Sequence, residues 1–313
     1  MVEDHRLEFG IAIPQIFSGL PVDTVRLQRF LARAEGLGYH SAWVQEQILG
    51  SAVTLEPVGV LTYAAALTRR LRLGSAVLLT PLRSPVQLAK SLSTLDHLSG
   101  GRLIVGVGLG ASTRIYPAFG LSAEHRVQRF VEGLTVMKRL WTEERVSFEG
   151  QFWALRNASM EPKPVQKPHP PVWFGGHHDA ALKRAAELGD GWIGAGSSTT
   201  AQFRDECRRL SGYLAGAGRD PAAYRVAKRI YIAVDRDRTR AGKRLEEWSG
   251  RYYRNAELAT KVAVYGEQQE CIERLAEIVA AGARLLVLNP VFDELEHLEL
   301  FAENIVPALR AGR

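Results

Sequence analysis

The sequence predicts a single (β/α)8 barrel carrying one insertion, and three observations lead there. Short apolar runs that suit buried strands alternate with longer segments of helical period. Eight such strand–helix units can be counted, the number a closed parallel barrel requires. No second core with a composition of its own divides the 313 residues, so residues 1–313 read as one domain. An open doubly wound sheet with a small cap is the alternative architecture.

Leu7 to Ile13 (LEFGIAI) reads as the first strand and Val22 to Leu37 as an amphipathic helix ending at Gly38. Ser41 to Val44 is the second strand, followed by a helical stretch through Tyr63 to Leu67. Leu71 to Leu79 (LRLGSAVLL) is the third. Pro85 then opens a helix whose end carries Gly100 and Gly101, the expected asymmetry of proline at the start and glycine past the end. Leu103 to Val107 is the fourth strand and Glu124 to Trp141 its helix. Thr142 to Pro171 breaks the rhythm, with the β-prone VSFEGQFWAL followed by EPKPVQKPHPP. Prolines hold their neighbours extended, so residues 142–171 are an insertion crossing the surface. A pocket formed by that insertion is where the substrate would be decided. Alternation resumes with Val172 to Phe174, helix Ala180 to Leu188, Trp192 and Ile193, helix Ala201 to Ala217, and strand Val226 to Val234. Thr239 to Leu258 reads as a long polar stretch. Helix Gln268 to Ala281, strand Leu285 to Leu288 and helix Leu295 to Leu309 complete the units.

Composition narrows the function classes. With 46% hydrophobic and 24% charged residues the chain is an ordinary globular protein. The 40 Lys+Arg against 34 Asp+Glu leave a net charge of +6, spread over helix faces rather than gathered in a stripe. A nucleic-acid surface would cluster them, because neutralising several phosphates at once supplies most of the affinity. No apolar run approaches the roughly 18 residues needed to cross a bilayer, and the first ten residues are too charged for a signal peptide. Cys207 and Cys271 lack any metal-ligand or disulfide-framework spacing, which fits a reducing, cytoplasmic setting.

In a barrel the site lies where strands end and loops begin. Those positions hold Pro14 and Gln15, then Gln45, Glu46 and Gln47, then Thr80 and Pro81, then Gly106 to Ser112, then Gly175 to Asp179, and finally Asn289 and Pro290. Glu46 is the main carboxylate among them, and His177 and His178 the only imidazoles. A divalent metal would need three or more converging donors, which this set does not offer; adjacent histidines also tend to diverge. No serine stands in a nucleophile-elbow sequence. Strand ends short of acids and bases but rich in glycine suggest a cofactor that brings the chemistry. Gly106 and Gly108 leave room for a planar ring or simply permit a tight turn. Gly106, Gly108 and Ala111 also match G-x-G-x-x-A, weakly, after a fourth strand rather than a first. Gly175 and Gly176, just before a helix start, offer backbone amides to a phosphate, with His177 as a further donor. Trp43 and Trp192 read as core, Thr80 as a hydrogen-bonding group for a cofactor, and His125 and His297 as surface residues.

Taken together, GYHSAWVQEQ, LRLGSAVLLTPLRSPVQLAKSLSTLDHLSGGRLIVGVGLG, RFVEGLTVMKRLW, VSFEGQFW, PPVWFGGH, AAELGDGW and LVLNPVF resemble, in order and over nearly the whole chain, the blocks of the luciferase-like oxidoreductases. Such proteins use FMN or the deazaflavin F420 on a (β/α)8 barrel with an insertion, and dimers are common among them, so a homodimer is what the resemblance allows. The resemblance implies a bulge in the third strand, often with a non-proline cis peptide, backing the ring from behind. Ala76 and Val77 match it. It further implies Gly106 and Gly108 beside the ring, and Gly175, Gly176 and His177 on the phosphate. The chain departs from the pattern after the second strand, where Glu46-Gln47 replaces an acid-His pair; glutamine exchanges no proton near neutral pH, so imidazole acid–base work is lost there. Glu46 and Gln47 are left to orient substrate or hydrogen-bond the ring. Ala111 stands where related sugar-phosphate dehydrogenases carry a glutamate, which speaks against alcohol oxidation of that type. The expectation is an enzyme that transfers hydride from reduced F420 to a small organic substrate. Its alternatives are an FMN-dependent monooxygenase and a non-catalytic cofactor carrier or sensor. The +6 charge leans toward F420, whose glutamyl tail is anionic.

Overall fold

A computed structural model describes residues 7–17, 19–110 and 112–311. Eight parallel strands form the barrel: β1 (Glu8–Ala12), β2 (Ser41–Val44), β3 (Arg72–Ser75), β4 (Leu103–Gly108), β5 (Val172–Gly175), β6 (Gly191–Gly194), β7 (Arg225–Val234) and β8 (Leu285–Pro290). They pair in the order β5-β6-β7-β8-β1-β2-β3-β4, and β4 pairs with β5 through Val105 opposite Val172 and Gly106 opposite Trp173, which closes the ring. The strands are apolar along their whole length because both faces are covered, as parallel sheets require. Trp43, Ile104, Trp173, Ile193, Ala227, Leu285 and Val287 fill the interior, with Ala76 and Val77 packed against them. Outward residues such as Leu73, Val105 and Leu286 pack with the surrounding helices into the larger core. No helix among the described residues is long and apolar enough to cross a membrane.

Local sequence sets the helix ends. Helix α1 (Thr24–Gly36) is capped by the Asp23 side chain, which accepts from the Arg26 amide at 2.8 Å. Helix α2 (Pro57–Leu67) and helix α3 (Pro85–Ser99) both open on proline, and α3 stops at Gly100 in the left-handed region at φ 64°. Helix α4 (Arg126–Thr142) follows β4, and helix α5 (Asp179–Leu188) follows β5. Helix α6 (Thr200–Gly216) starts with a reciprocal Thr199–Gln202 capping box.

Four expectations are corrected. The third strand, continuous over Leu71–Leu79 by its apolar run, is broken after Ser75 by the bulge that the resemblance implied at Ala76 and Val77, which are joined by a cis peptide, and Leu78–Leu79 then pairs with Val107 and Gly108 of β4. The polar stretch 239–258 falls mostly within helix α7 (Arg238–Tyr253), whose inner face is Ala241, Gly242, Leu245 and Ser249. Small inner residues and many charges hid its periodicity. His297 is buried, accepting from the Val234 amide through Nε2 while Nδ1 donates to the Asp293 carbonyl. The insertion forms a hairpin, Val146–Glu149 with Ala154–Ala158, and its proline-rich return runs along α3 rather than over the strand ends. Ser93 Oγ donates to the Pro162 carbonyl, buried Asp96 accepts from the Gln166 amide and side chain, and Gln166 reaches the Leu103 carbonyl at the start of β4. That is the end of the barrel opposite the strand C-termini, so the insertion lines no part of the cavity described below.

His40, immediately before β2, makes the fold sensitive to acid. Burial, then Arg72 and Arg225, push its imidazole down to about 4. Glu8, 3.5 Å away, favours the charged ring, but Arg225 shares that carboxylate at 3.4 Å. Because the folded pKa lies below the unfolded value of 6.5, this contribution is complete above pH 6.5 and is lost as pH falls toward 4. The loss is about 1–2 kcal/mol once partial exposure is allowed for. His40→Asn should flatten the urea midpoint over that window; an unchanged pH slope would refute the assignment.

Candidate active site at the strand C-termini

A cavity of about 380 Å³ opens at the C-terminal mouth of the barrel. Its wall includes Ala12 to Phe17 after β1, Trp43 to Gln45 of β2, Ala76 of the bulge, Arg229 of β7, Asn289 to Glu294 after β8, and Trp248, Arg251 and Tyr252 of α7. Gln15, 2% exposed, fixes the β1–β2 corner: its amide donates to the Gln45 and Leu55 carbonyls at 2.7 and 3.0 Å, and its oxygen accepts from the Gln45 amide at 2.7 Å. Gln45 in turn donates to the Tyr252 hydroxyl at 2.8 Å, which holds α7 across the opening. Trp248 and Tyr252 stack with ring centres 5.6 Å apart. Trp43 is core on one side, 5.5 Å from Trp173 and donating to Ser41 Oγ at 2.8 Å, and cavity wall on the other.

Gly106, Gly108 and Gly175 gather around the bulge. A Cβ on Gly106 would collide with the Ser75 carbonyl; on Gly108 it would lie 2.6 Å from Val77 Cγ2, and on Gly175 2.9 Å from Val77 Cγ1. The space a side chain would take is thus filled by β3 itself. These glycines admit Val77 into the barrel rather than leaving an open floor. Ser75 Oγ donates to the Gly106 carbonyl and accepts from its amide, both at 2.9 Å, which locks β3 to β4.

Glu46 does not reach the cavity. Its carboxylate is fully buried, accepts from the Leu79 amide and from Arg83 Nε at 3.0 Å, and pairs with Arg83 Nη2. Burial alone would lower the Arg83 pKa, but Glu46 and Glu56 outweigh it and raise it. Gln47 and Thr80 follow β2 and the Leu78–Leu79 segment and do not belong to the cavity wall; Gln47 Oε1 and Thr80 Oγ1 are buried without a hydrogen-bond partner. Ala111 lies outside the described residues.

On the β5 side, Gly176 takes φ 120°, which suits glycine, and α5 begins at Asp179. The Trp192 indole donates to the Gly176 carbonyl at 2.8 Å and stacks on Phe203, so a tryptophan expected only as core also pins the glycine turn. His177 and His178 do not diverge; their ring centres are 4.3 Å apart, because the chain turns into α5 between them. Burial, then His178 and Arg209, lower the His177 pKa, so its ring is neutral at pH 7. Arg209 is tied to Asp179 at 2.6 Å and to Asp205 at 2.8 Å. Trp192→Phe should cost about 2–3 kcal/mol, one hydrogen bond plus the cavity left by the smaller ring at a fully buried site. Faster amide exchange confined to residues 175–179 would report the freed turn, and exchange identical to wild type would rule it out.

Arg229, Trp248, Arg251 and Tyr252 were not foreseen. Arg229 had a readable signal, since it shares the period-two register of inward Ala227, whereas its charged neighbour Lys228 falls on the other face of the strand. The α7 residues had none, as the helix itself was not recognised.

A family model described as luciferase-like monooxygenase matches residues 7–285. An uncharacterized protein of Mycobacterium tuberculosis is 39% identical over 184 residues, 58% of this chain, and the match spans 64% of that protein. An F420-dependent glucose-6-phosphate dehydrogenase of Intrasporangium calvum is 26% identical, covering 89% of this chain and 92% of that one. An FMNH2-dependent dimethylsulfone monooxygenase of Pseudomonas putida is 25% identical, covering 97% and 95%. Among solved structures, monooxygenase RslO1 of Streptomyces bottropensis superposes with a TM-score of 0.83 at 26% identity, covering 96% of this chain and 99% of that one. An F420-dependent secondary alcohol dehydrogenase shares the fold with a TM-score of 0.85 at 21% identity, covering 97% and 99%. With a closed eight-stranded barrel, and with F420-dependent and FMNH2-dependent oxidoreductases as homologues over nearly its full length, the chain belongs to the luciferase-like monooxygenase family.

Proposed function

We propose that the chain is a deazaflavin-dependent oxidoreductase that uses reduced F420 to act on a small organic substrate. The carrying observation is the chemistry of the cavity wall. It holds no histidine, cysteine or lysine among the described residues, and its two carboxylates, Glu294 and Asp293, are paired with Arg26 and Arg244. A wall without a free acid or base, at a barrel mouth, suits chemistry brought by a bound group. The residues present fit such a group: a bulge that reaches the cavity at Ala76, a glycine turn between β5 and α5, and the unsatisfied Gln47 Oε1 and Thr80 Oγ1, which follow β2 and the Leu78–Leu79 segment just outside the cavity wall.

When bound, the reduced deazaflavin supplies a hydride to an activated alkene, imine or carbonyl. Ala76 and Val77 back the ring, while Gly106, Gly108 and Gly175 let Val77 sit where it does. Backbone amides of Gly175 and Gly176 and the neutral His177 ring bind the phosphate at the positive end of α5. Gln47 and Thr80 hydrogen-bond the ring, and Glu46 positions the Leu78–Leu79 segment that carries Thr80. Trp248 and Tyr252 keep water from the substrate side.

The net charge of +6 favours F420, the more anionic of the two cofactors. The full-length likeness to an FMNH2-dependent monooxygenase supports FMN with oxygen insertion as the second reading. Fluorescence titration with oxidised F420 and FMN tests both: micromolar binding of F420 and weaker binding of FMN is expected. The reverse order selects the monooxygenase, and binding of neither defeats the cofactor reading. Cofactor binding with no reoxidation by any acceptor or by oxygen would instead mark a carrier.

A further inference from the structure

The barrel interior changes character one layer below the mouth. On β7 the inward Ala227 belongs to the apolar interior, and two residues on comes Arg229; on β8, Leu285 and Val287 belong to it, and two residues on comes Asn289. The register sets Arg229 beside Val287 and Tyr231 beside Asn289. Arg229 and Asn289 therefore face the same cavity from neighbouring strands.

Arg229 is a cation without a counter-charge. Its guanidinium lies 5.0 Å from the centre of the Tyr231 ring and within hydrogen-bonding reach of Tyr253, and it forms no ion pair among the described residues. The nearby carboxylates are engaged elsewhere: Glu294 by Arg26, and Asp293 by Arg244 at 3.0 Å. Arginine stays charged in proteins even when buried, and what surrounds this one is the phenols of Tyr231, Tyr252 and Tyr253 rather than a carboxylate. Withdrawing such a charge from water unpaired is costly unless an anion enters with it.

Position separates this cation from the cofactor seat. Strands β3 and β7 are four apart around an eight-stranded ring, so Arg229 stands across the mouth from Ala76. A ring held against the bulge would have Arg229, Trp248 and Tyr252 across the cavity from it and Trp43 beside the bulge, where β2 pairs with β3. Three of those four are flat aromatic side chains, and the fourth is a fork shaped for a carboxylate.

We propose that this cavity takes a planar aromatic or conjugated carboxylate, with its anionic oxygens on Arg229 and Asn289 and its ring system against Trp43, Trp248 and Tyr252. Naming that acid as the substrate rests on the oxidoreductase reading; its binding does not.

Cinnamate and cinnamamide, nearly isosteric and differing in charge, are the probes. Isothermal titration of the full chain at pH 7 should show cinnamate bound at least about ten-fold tighter than cinnamamide, the scale of a charge-assisted bidentate contact. Arg229→Gln should erase that preference while leaving cinnamamide affinity within about two-fold, and Arg229→Lys should keep part of it. Equal affinities in the unmodified chain, or no binding of either probe at millimolar concentration, overturns the proposal without recourse to a variant. Preference surviving in Arg229→Gln but lost in Arg251→Gln overturns the assignment to Arg229. Titration of F420 and FMN on the same preparation keeps the two readings apart. Acid preference without cofactor binding defeats the oxidoreductase reading alone, and cofactor binding without acid preference defeats this one alone.

Discussion

Gly106→Ala is expected to destabilise the chain by roughly 3–5 kcal/mol, the range of severe core overpacking. The added methyl would collide with the Ser75 carbonyl oxygen, a backbone atom with nowhere to go, because Ser75 Oγ is bonded to both the amide and the carbonyl of Gly106. Either β3 and β4 separate or the pair of hydrogen bonds breaks. Gly108→Ala differs in kind, since its methyl meets only Val77 Cγ2 at 2.6 Å. A valine methyl can be removed: Val77→Ala should rescue most of the loss in Gly108→Ala and little of that in Gly106→Ala. Urea denaturation of the three single and two double variants measures this directly. Equal rescue of both glycine variants would mean that Val77, not the Ser75 backbone, is what the fourth-strand glycines accommodate.

The barrel was legible because it is repetitive. Parallel strands buried on both faces leave continuous apolar runs, and the covering helices keep a polar outer face, so period alone separates one from the other. Legibility failed where an element serves the cavity. Helix α7 turns Trp248, Arg251 and Tyr252 toward a polar mouth, so it lacks the apolar stripe by which helices are recognised. His297 sits within ELEHLEL and reads as surface, yet the chain brings its ring against the Val234 amide, a contact 63 residues away in sequence. Local spacing offers a ring or a tight turn as the reason for the fourth-strand glycines, and the space beside them is filled instead by the Ser75 carbonyl and Val77. Such long-range occupancy leaves no trace in local spacing. The strand-end residues single out Glu46 as the main carboxylate there, but nothing in their spacing shows that it is spent on Arg83.

Glu46→Ala is expected to cost about 3 kcal/mol, because removing one partner of a buried pair strands the other. Two groups lose their acceptor together: the Leu79 amide, and the Arg83 guanidinium on its inner side. Glu56 remains on Arg83 at 2.7 Å, but its side chain is 48% exposed and the pair is screened by water, so Glu56→Ala should cost about 1 kcal/mol, mostly for the cap its carboxylate gives α2 at the Gly59 amide. Glu46→Gln keeps one oxygen, which can serve the Leu79 amide or Arg83 while its NH2 faces the other donor, so it loses an acceptor as well as the charge and its cost should fall between the two. The order Ala, Gln, then Glu56→Ala is therefore expected in the denaturation midpoints. A direct catalytic role makes a different forecast. If the Glu46 carboxylate met substrate or ring, the glutamine variant would retain nearly full stability and cofactor affinity while turnover collapsed. If it holds the Leu78–Leu79 segment, cofactor affinity and stability should fall in parallel across the series, because Thr80 and the bulge move with the strand that Leu79 anchors to β4. The geometry, with the carboxylate wholly buried in the Arg83 fork and absent from the cavity wall, favours the parallel decline.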